Sequence, residues 1–171
     1  MRLIAFILGI ILAGSAILAG PAMAADWEEY AYPDFAFSVH FPAAPKIESA
    51  PYQGPDGSAL EARVYSVASD TGSFKLTIAN VPDSAANENS LVAHAVNSAT
   101  QGGTIKLDIA HRIRSTYGRQ LAVAGANGGY AYISVFYYKK RLYRLEGTAA
   151  VAGGQAEVDA MIFQQSLDLT D

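Results

Sequence analysis

The chain contains no cysteine. That excludes disulfide staples, thiol catalysis and a lipid-bearing cysteine behind a leader. Histidine is scarce: His40, His94 and His111 are the only three, and they fall on separate expected elements. Zinc sites draw on clustered histidine or cysteine, so no metal site is expected. There is no G-x-S-x-G around any serine, and no histidine has a recognisable nucleophile or acid partner nearby in sequence. The glycine-rich run Gly125–Gly129 lies between expected strands. It lacks the lysine and the following helix that a phosphate-cradling loop needs. The sequence therefore names no catalytic residue and no cofactor.

What is present begins at the N-terminus. Arg2 precedes an apolar run from Leu3 to Gly20, which ends in Pro21-Ala22-Met23-Ala24. A positive start, an apolar middle and small residues at positions 22 and 24 read as a secretory signal peptide over residues 1–24. The run also has the length of a retained membrane anchor, which needs about 20 apolar residues. Residues 25–171 then make one domain, long enough to bury a core without staples. An exported chain without disulfides points to a bacterial envelope, periplasmic or secreted.

The formal net charge is −4. Its distribution is uneven. Lys106, Arg112, Arg114, Arg119, Lys139, Lys140, Arg141 and Arg144 crowd one span in which Asp108 is the only acid. Asp26, Glu28, Glu29, Asp34, Glu48, Asp56 and Glu61 make the N-terminal part acidic. Either the two parts face each other and neutralise, or the basic span meets an anionic partner.

Element by element, Trp27 to Tyr32 reads as a short edge strand. Phe35, Phe37, Val39 and Phe41 alternate with smaller or polar residues, which predicts a half-buried strand with His40 on the wetter face. Prolines and glycines from Pro42 to Gly57 predict a loop, with one short extended piece near Lys46–Glu48. Leu60–Ala68 and Phe74–Ile78 read as a hairpin. Asn87 caps an expected helix from Glu88 to Gln101, with Leu91 and Ala95 on its apolar stripe and Gly102-Gly103 as its stop. Ile105, Leu107, Ile109 and Ile113 form the apolar side of a strand, interrupted by His111, a candidate hydrogen-bonded core residue. Tyr117–Ala124 is the next strand, and Asn127-Gly128 is a strong hairpin signal. Tyr130–Tyr138 is aromatic and β-branched on both faces, as a strand covered on both sides would be. Lys139-Lys140 turns the chain back into Arg141–Thr148. A helix over about Ala156–Gln165, with Val158, Met161, Ile162 and Gln165 inward, closes the domain. Tight turns imply an antiparallel sheet with segregated helices, an α+β fold.

Four segments carry a resemblance: Tyr32-Pro33-Asp34-Phe35-Ala36-Phe37-Ser38-Val39-His40-Phe41-Pro42, Tyr117-Gly118-Arg119-Gln120-Leu121, Arg141-Leu142-Tyr143-Arg144-Leu145-Glu146-Gly147 and Phe163-Gln164-Gln165-Ser166-Leu167. They resemble small secreted proteobacterial proteins of uncharacterised function. The order of elements resembles the PsbP-like sandwich, named after an extrinsic subunit of photosystem II, in which an antiparallel sheet lies between helices. The resemblance implies a non-enzymatic accessory or binding role. It transfers no site residue, because no acidic cluster linked to manganese or calcium is recognisable, and fold does not imply function.

The expected function is thus an exported, non-catalytic binding module of the bacterial envelope. Its expected contact is the basic hairpin tip Lys139, Lys140, Arg141 and Arg144, with Arg112 and Arg114 as further candidates, facing an envelope protein or an anionic surface. Interleaved aromatic and basic residues also occur in nucleic-acid binders. Exported proteins rarely meet nucleic acid, so sheet packing with a charged hairpin tip is the favoured reading and no nucleic-acid partner is expected. Membrane contact would come only through a retained leader or peripheral attraction. Two alternatives differ in class. A carrier of small apolar ligands needs an apolar cavity between sheet and helix. A hydrolase needs a histidine within hydrogen-bond reach of a serine or carboxylate inside a cleft.

Overall fold

The computed structural model describes residues 27–83 and 87–171. The expected leader, residues 1–24, lies outside the described residues. The elements run β1 (Glu28–Tyr32), a 3-10 turn (Pro33–Phe35), β2 (Phe37–Phe41), β3 (Lys46–Gln53), β4 (Ala59–Ala68) and β5 (Gly72–Asn80). Then follow α1 (Glu88–Thr100), β6 (Gly103–Ile113), β7 (Thr116–Gly125), β8 (Tyr130–Tyr138), β9 (Arg141–Ala149), α2 (Gln155–Gln164) and β10 (Asp168–Leu169). Seven strands form one sheet in the order β3-β4-β5-β9-β8-β7-β6, and three form a second, β1-β2-β10. Every pairing is antiparallel, as tight turns dictate. The fold is α+β.

Three layers result. Helix α1 lies on one face of the large sheet, over Leu60, Ala79, Leu121, Val123, Ile133, Val135 and Leu142. Helix α2 and the small sheet lie on the other, where Phe37, Phe41, Phe74, Phe136, Tyr143 and Phe163 pack together. Strand β9 is the middle strand of the seven, with β8 beside it. Ile133 and Val135 face one cluster and Phe136 the other, so the apolar character of β8 on both faces has its cause in two covering layers.

Several expectations give way. The proline-rich stretch after Phe41 is not mainly loop: it holds the eight-residue strand β3, which carries Pro51 at the sheet edge, where a missing N–H is tolerated. Phe35 belongs to the 3-10 turn, and Ala36 (φ 55°) sets the start of β2. Ile105, Leu107 and Ile109 do not enter the core. Strand β6 is the other edge strand, and they are 48%, 40% and 45% exposed. His111, expected as a hydrogen-bonded core group, is half-buried on that strand with its ring against Phe136. Helix α2 turns Ala160, Phe163 and Gln164 inward and leaves Val158 and Ile162 outside. His40 is exposed as expected, but β2 is not half-buried: Ser38, on the same face as His40, is buried.

Candidate functional site

The turns β6–β7 and β8–β9 share one end of the large sheet, because Gly118 at the start of β7 pairs with Phe136 near the end of β8. That register brings Arg112, Arg114, Lys139, Lys140 and Arg141 to the same end. It does not bring Arg144.

The β8–β9 turn is Lys139-Lys140, with both residues left-handed (φ 46° and 60°). A two-residue hairpin whose twist matches its strands needs this geometry, which glycine or asparagine adopts most readily. The neighbouring β7–β8 hairpin uses Asn127 and Gly128 (φ 83°). Two lysines in these positions hold their side chains at the tip at a conformational cost of about 1–2 kcal/mol each.

The cations here differ in company. Lys140 Nζ lies 2.7 Å from Asp83, whose hydrogen bond raises the ammonium pKa. Arg114 makes a two-point contact with Asp168, at 3.2 Å (Nε to Oδ1) and 3.0 Å (Nη2 to Oδ2). Arg112 lies 4.7 Å over the Tyr117 ring, and Lys139 Nζ lies 5.2 Å over the Tyr138 ring. Arg141 donates to the Asp34 carbonyl at 3.2 Å and lies 5.1 Å over the Phe35 ring. Arg63, from β4, lies 4.6 Å from the same ring. Lys139, Arg141, Arg63 and Arg112 have no salt-bridge partner among the described residues. Beside the turn runs an open groove of about 530 Å³ lined by Leu60, Glu61, Asn80, Val81, Pro82 and the three basic residues 139–141.

Arg144 sits mid-strand on β9, opposite Thr77 and Val135, on the α1 face. It donates to Glu146 at 2.7 Å and reaches Ser98 of α1 at 3.5 Å. Lys75 approaches the same Glu146 at 3.4 Å. Arg144 therefore ties a helix to the sheet, away from the tip. Arg63, in turn, joins the site although nothing in the sequence singles it out. Its proximity to Arg141 depends on β5 lying between β4 and β9, a pairing order that local spacing does not encode.

The histidines stand apart. His94 Nε2 lies 2.9 Å from the Gln53 carbonyl oxygen. His111 packs on Phe136, with ring centroids 5.7 Å apart. The space between α1 and the sheet is filled by Leu91 and Ala95 against Leu121, Val123, Ile133 and Val135. A groove of about 470 Å³ flanks α1 on the outside, lined by Val92, Val96, Asp108, Tyr117 and Arg119. Among the described residues no three His, Cys, Asp or Glu side chains gather as a metal site, and no helix is long and apolar enough to cross a membrane.

No protein-family model matches the chain, and no curated protein matches it. Among solved structures it is similar to that of cyanobacterial PsbP (CyanoP) from Synechocystis sp. PCC 6803. The identity is 14%, the TM-score is 0.56, and the match covers 92% of this chain and 98% of that one. That likeness shows the fold: the chain adopts a PsbP-like α+β architecture.

Proposed function

We propose that the chain is an exported, non-catalytic binding module that docks on an anionic envelope partner through the Lys139–Arg141 end of its sheet. One observation carries the reading. Lysine stands twice where the hairpin geometry favours Asn-Gly, so the tip gives up stability to present charge. Residues that break a local folding rule are candidates for function; Lys139 does so with no salt-bridge partner among the described residues, while Lys140 is paired with Asp83. Lys139, Arg141 and Arg63 lack a salt-bridge partner among the described residues, and the adjoining groove has apolar walls at Leu60, Val81 and Pro82. Each cation near an anionic surface contributes about 1 kcal/mol, so the contact is weak and sensitive to salt. The PsbP-like fold is compatible with an accessory role.

The test is a crosslinked pull-down from the envelope fraction at low and high salt, with a parallel arm of anionic and neutral lipid vesicles. Lys139→Asn/Lys140→Gly removes two charges and installs the favoured turn. It raises stability by about 1–2 kcal/mol and loses the partner. Lys139→Glu/Lys140→Glu/Arg141→Glu loses it as well. Binding to anionic vesicles alone identifies a lipid surface, and a salt-sensitive protein crosslink identifies a protein. Capture unchanged in the stabilised double variant would reject this end of the sheet as the contact.

A further inference from the structure

The two edges of the large sheet are treated differently. Edge strands expose unpaired N–H and C=O groups, and proteins usually blunt them with proline, charge or shortness. Strand β3 is blunted: it carries Pro51 and the exposed pair Lys46–Glu48, 2.8 Å apart. Strand β6 is eleven residues long and contains no proline; it exposes Ile105, Leu107 and Ile109, and its charges, Lys106, Asp108 and Arg112, are of both signs. A register shift between Ile105 and Leu107 interrupts its pairing with β7. From Leu107 to Ile113 the pairing is regular.

We infer that β6 is the contact surface for a second copy of this chain, which adds its own β6 antiparallel about a two-fold axis at Ala110. The charge pattern selects that occupant and that register. An axis at Ala110 sets Asp108 of each copy opposite Arg112 of the other. It sets Leu107 opposite Ile113 and Ile109 opposite His111. Lys106 falls at the level of Arg114, but Arg114 lies past the strand's end, left-handed (φ 53°) and paired with Asp168. Moving the axis one residue back, to Ile109, would put Lys106 opposite Arg112 within the strand and leave Asp108 facing alanine. Like charges directly opposite are destabilising, and opposite ones stabilise a cross-strand pair.

The faces agree as well. Asp108 bonds Arg119 at 2.9 Å on the α1 side, and Arg112 is held over Tyr117 beside it. Ile109 pairs with Gln120, whose side chain bonds Gln164 of α2 at 2.9 Å, so Leu107 and Ile109 lie on the α2 side. A two-fold axis normal to the sheet keeps both faces in common. Each Asp108 then lies between two guanidiniums, its own Arg119 and the second copy's Arg112, and the exposed aliphatic side chains cover one another. Such an interface is isologous and closes at two copies, which leaves the blunted β3 edges outward.

The absence of cysteine supplies a clean probe. Ala110→Cys places the only thiol of each chain on the proposed axis; Ser49→Cys places it on β3 as a control. In the full-length gene product recovered from cells, light scattering shows a concentration-dependent dimer. Mild oxidation links two copies of the Ala110→Cys variant through their new thiols and leaves the Ser49→Cys variant unlinked. Arg112→Asp, which faces Asp108 of the second copy, weakens self-association by about tenfold or more, since two pairs change from attractive to repulsive. A monomer at every concentration overturns the inference, as do equal crosslinking at both positions and an Arg112→Asp dimer of unchanged affinity. Protection from exchange of the β6 amides that point away from β7, in a monomeric sample, overturns it too, because another segment or partner then covers the edge.

Discussion

Tyr132 and Glu157 fasten the start of α2 to β8. The Tyr132 hydroxyl donates to one carboxylate oxygen of Glu157, and the Gly153 N–H donates to the other at 2.5 Å. These bonds favour the ionised acid, the tyrosine first and the glycine next, so the Glu157 pKa lies below its ordinary value. The Tyr132 pKa is pushed up to about 12, first by burial and then by the bond to Glu157. The signs follow from linkage. Glu157's contribution is complete above the unfolded carboxylate range and fades as pH falls through the depressed value. Tyr132's is complete below about 10, the ordinary value for tyrosine. Between there and about 12 the unfolded chain binds fewer protons than the folded one, so stability falls as pH rises. Tyr132→Phe is expected to make both limbs shallower in urea midpoints measured against pH. Limbs of unchanged slope would show that the pair does not hold the helix. The partnership is not legible in the sequence, because 25 residues separate the two groups and only the closed hairpin brings them together. The same holds for Arg144, which the sequence groups with the tip by proximity along the chain, and which alternation along β9 turns toward α1.

At the level of elements, legibility follows the locality of the signal. Helix α1 is readable to within a residue because its start is encoded by one side chain: Asn87 accepts the Ser90 N–H at 3.0 Å. Replacing that cap with alanine strands a backbone donor, so Asn87→Ala costs about 1 kcal/mol. Chemical denaturation should show this as a lower midpoint at constant slope, and Asn87→Asp should retain most of the stability. An alanine variant as stable as the parent would mean that packing of Leu91 and Ala95 alone fixes the helix. Helix α2 stands where its sequence places it but is rotated from the expected facing, since its most apolar stripe is not its buried one. Gly147 on β9 lets Ala160 press close: a Cβ there would stand 2.6 Å from the Ala160 oxygen. Gln164, polar yet buried, donates to the carbonyls of Leu121 and Ile133, each at 2.7 Å. Close backbone approach and a satisfied amide outweigh the burial of Val158 and Ile162. For β6 the periodicity is right and its expected meaning is not, because alternation reports two unlike faces and is silent on what covers them.

Over the whole molecule, the aromatic ribbon of β8 discloses a sheet covered on both sides, and turn chemistry discloses its antiparallel order. The second sheet is hidden, since β10 is two residues long and pairs with β2 from the far end of the chain. Its attachment makes a prediction about cooperativity. Trp27, the only tryptophan, packs edge-on against Phe74 of the large sheet at 5.2 Å. Tyr32 and Phe37 of the small sheet lie 4.7 and 5.6 Å from Tyr65 of the large one. Leu167 and Leu169 belong to the same cluster, and Thr170 N–H donates to the Ala36 carbonyl at 2.9 Å. With one aromatic core shared between both sheets, neither can leave while the other stays dry, so unfolding should be a single transition. Tryptophan fluorescence and far-ultraviolet circular dichroism should then lose signal at the same denaturant concentration. Leu169→Ala, which empties a buried site at the junction, should lower both midpoints together by about 2–4 kcal/mol of stability. A fluorescence change that precedes the loss of dichroism, in the parent or in that variant, would show that the small sheet is a detachable cover and not part of the core.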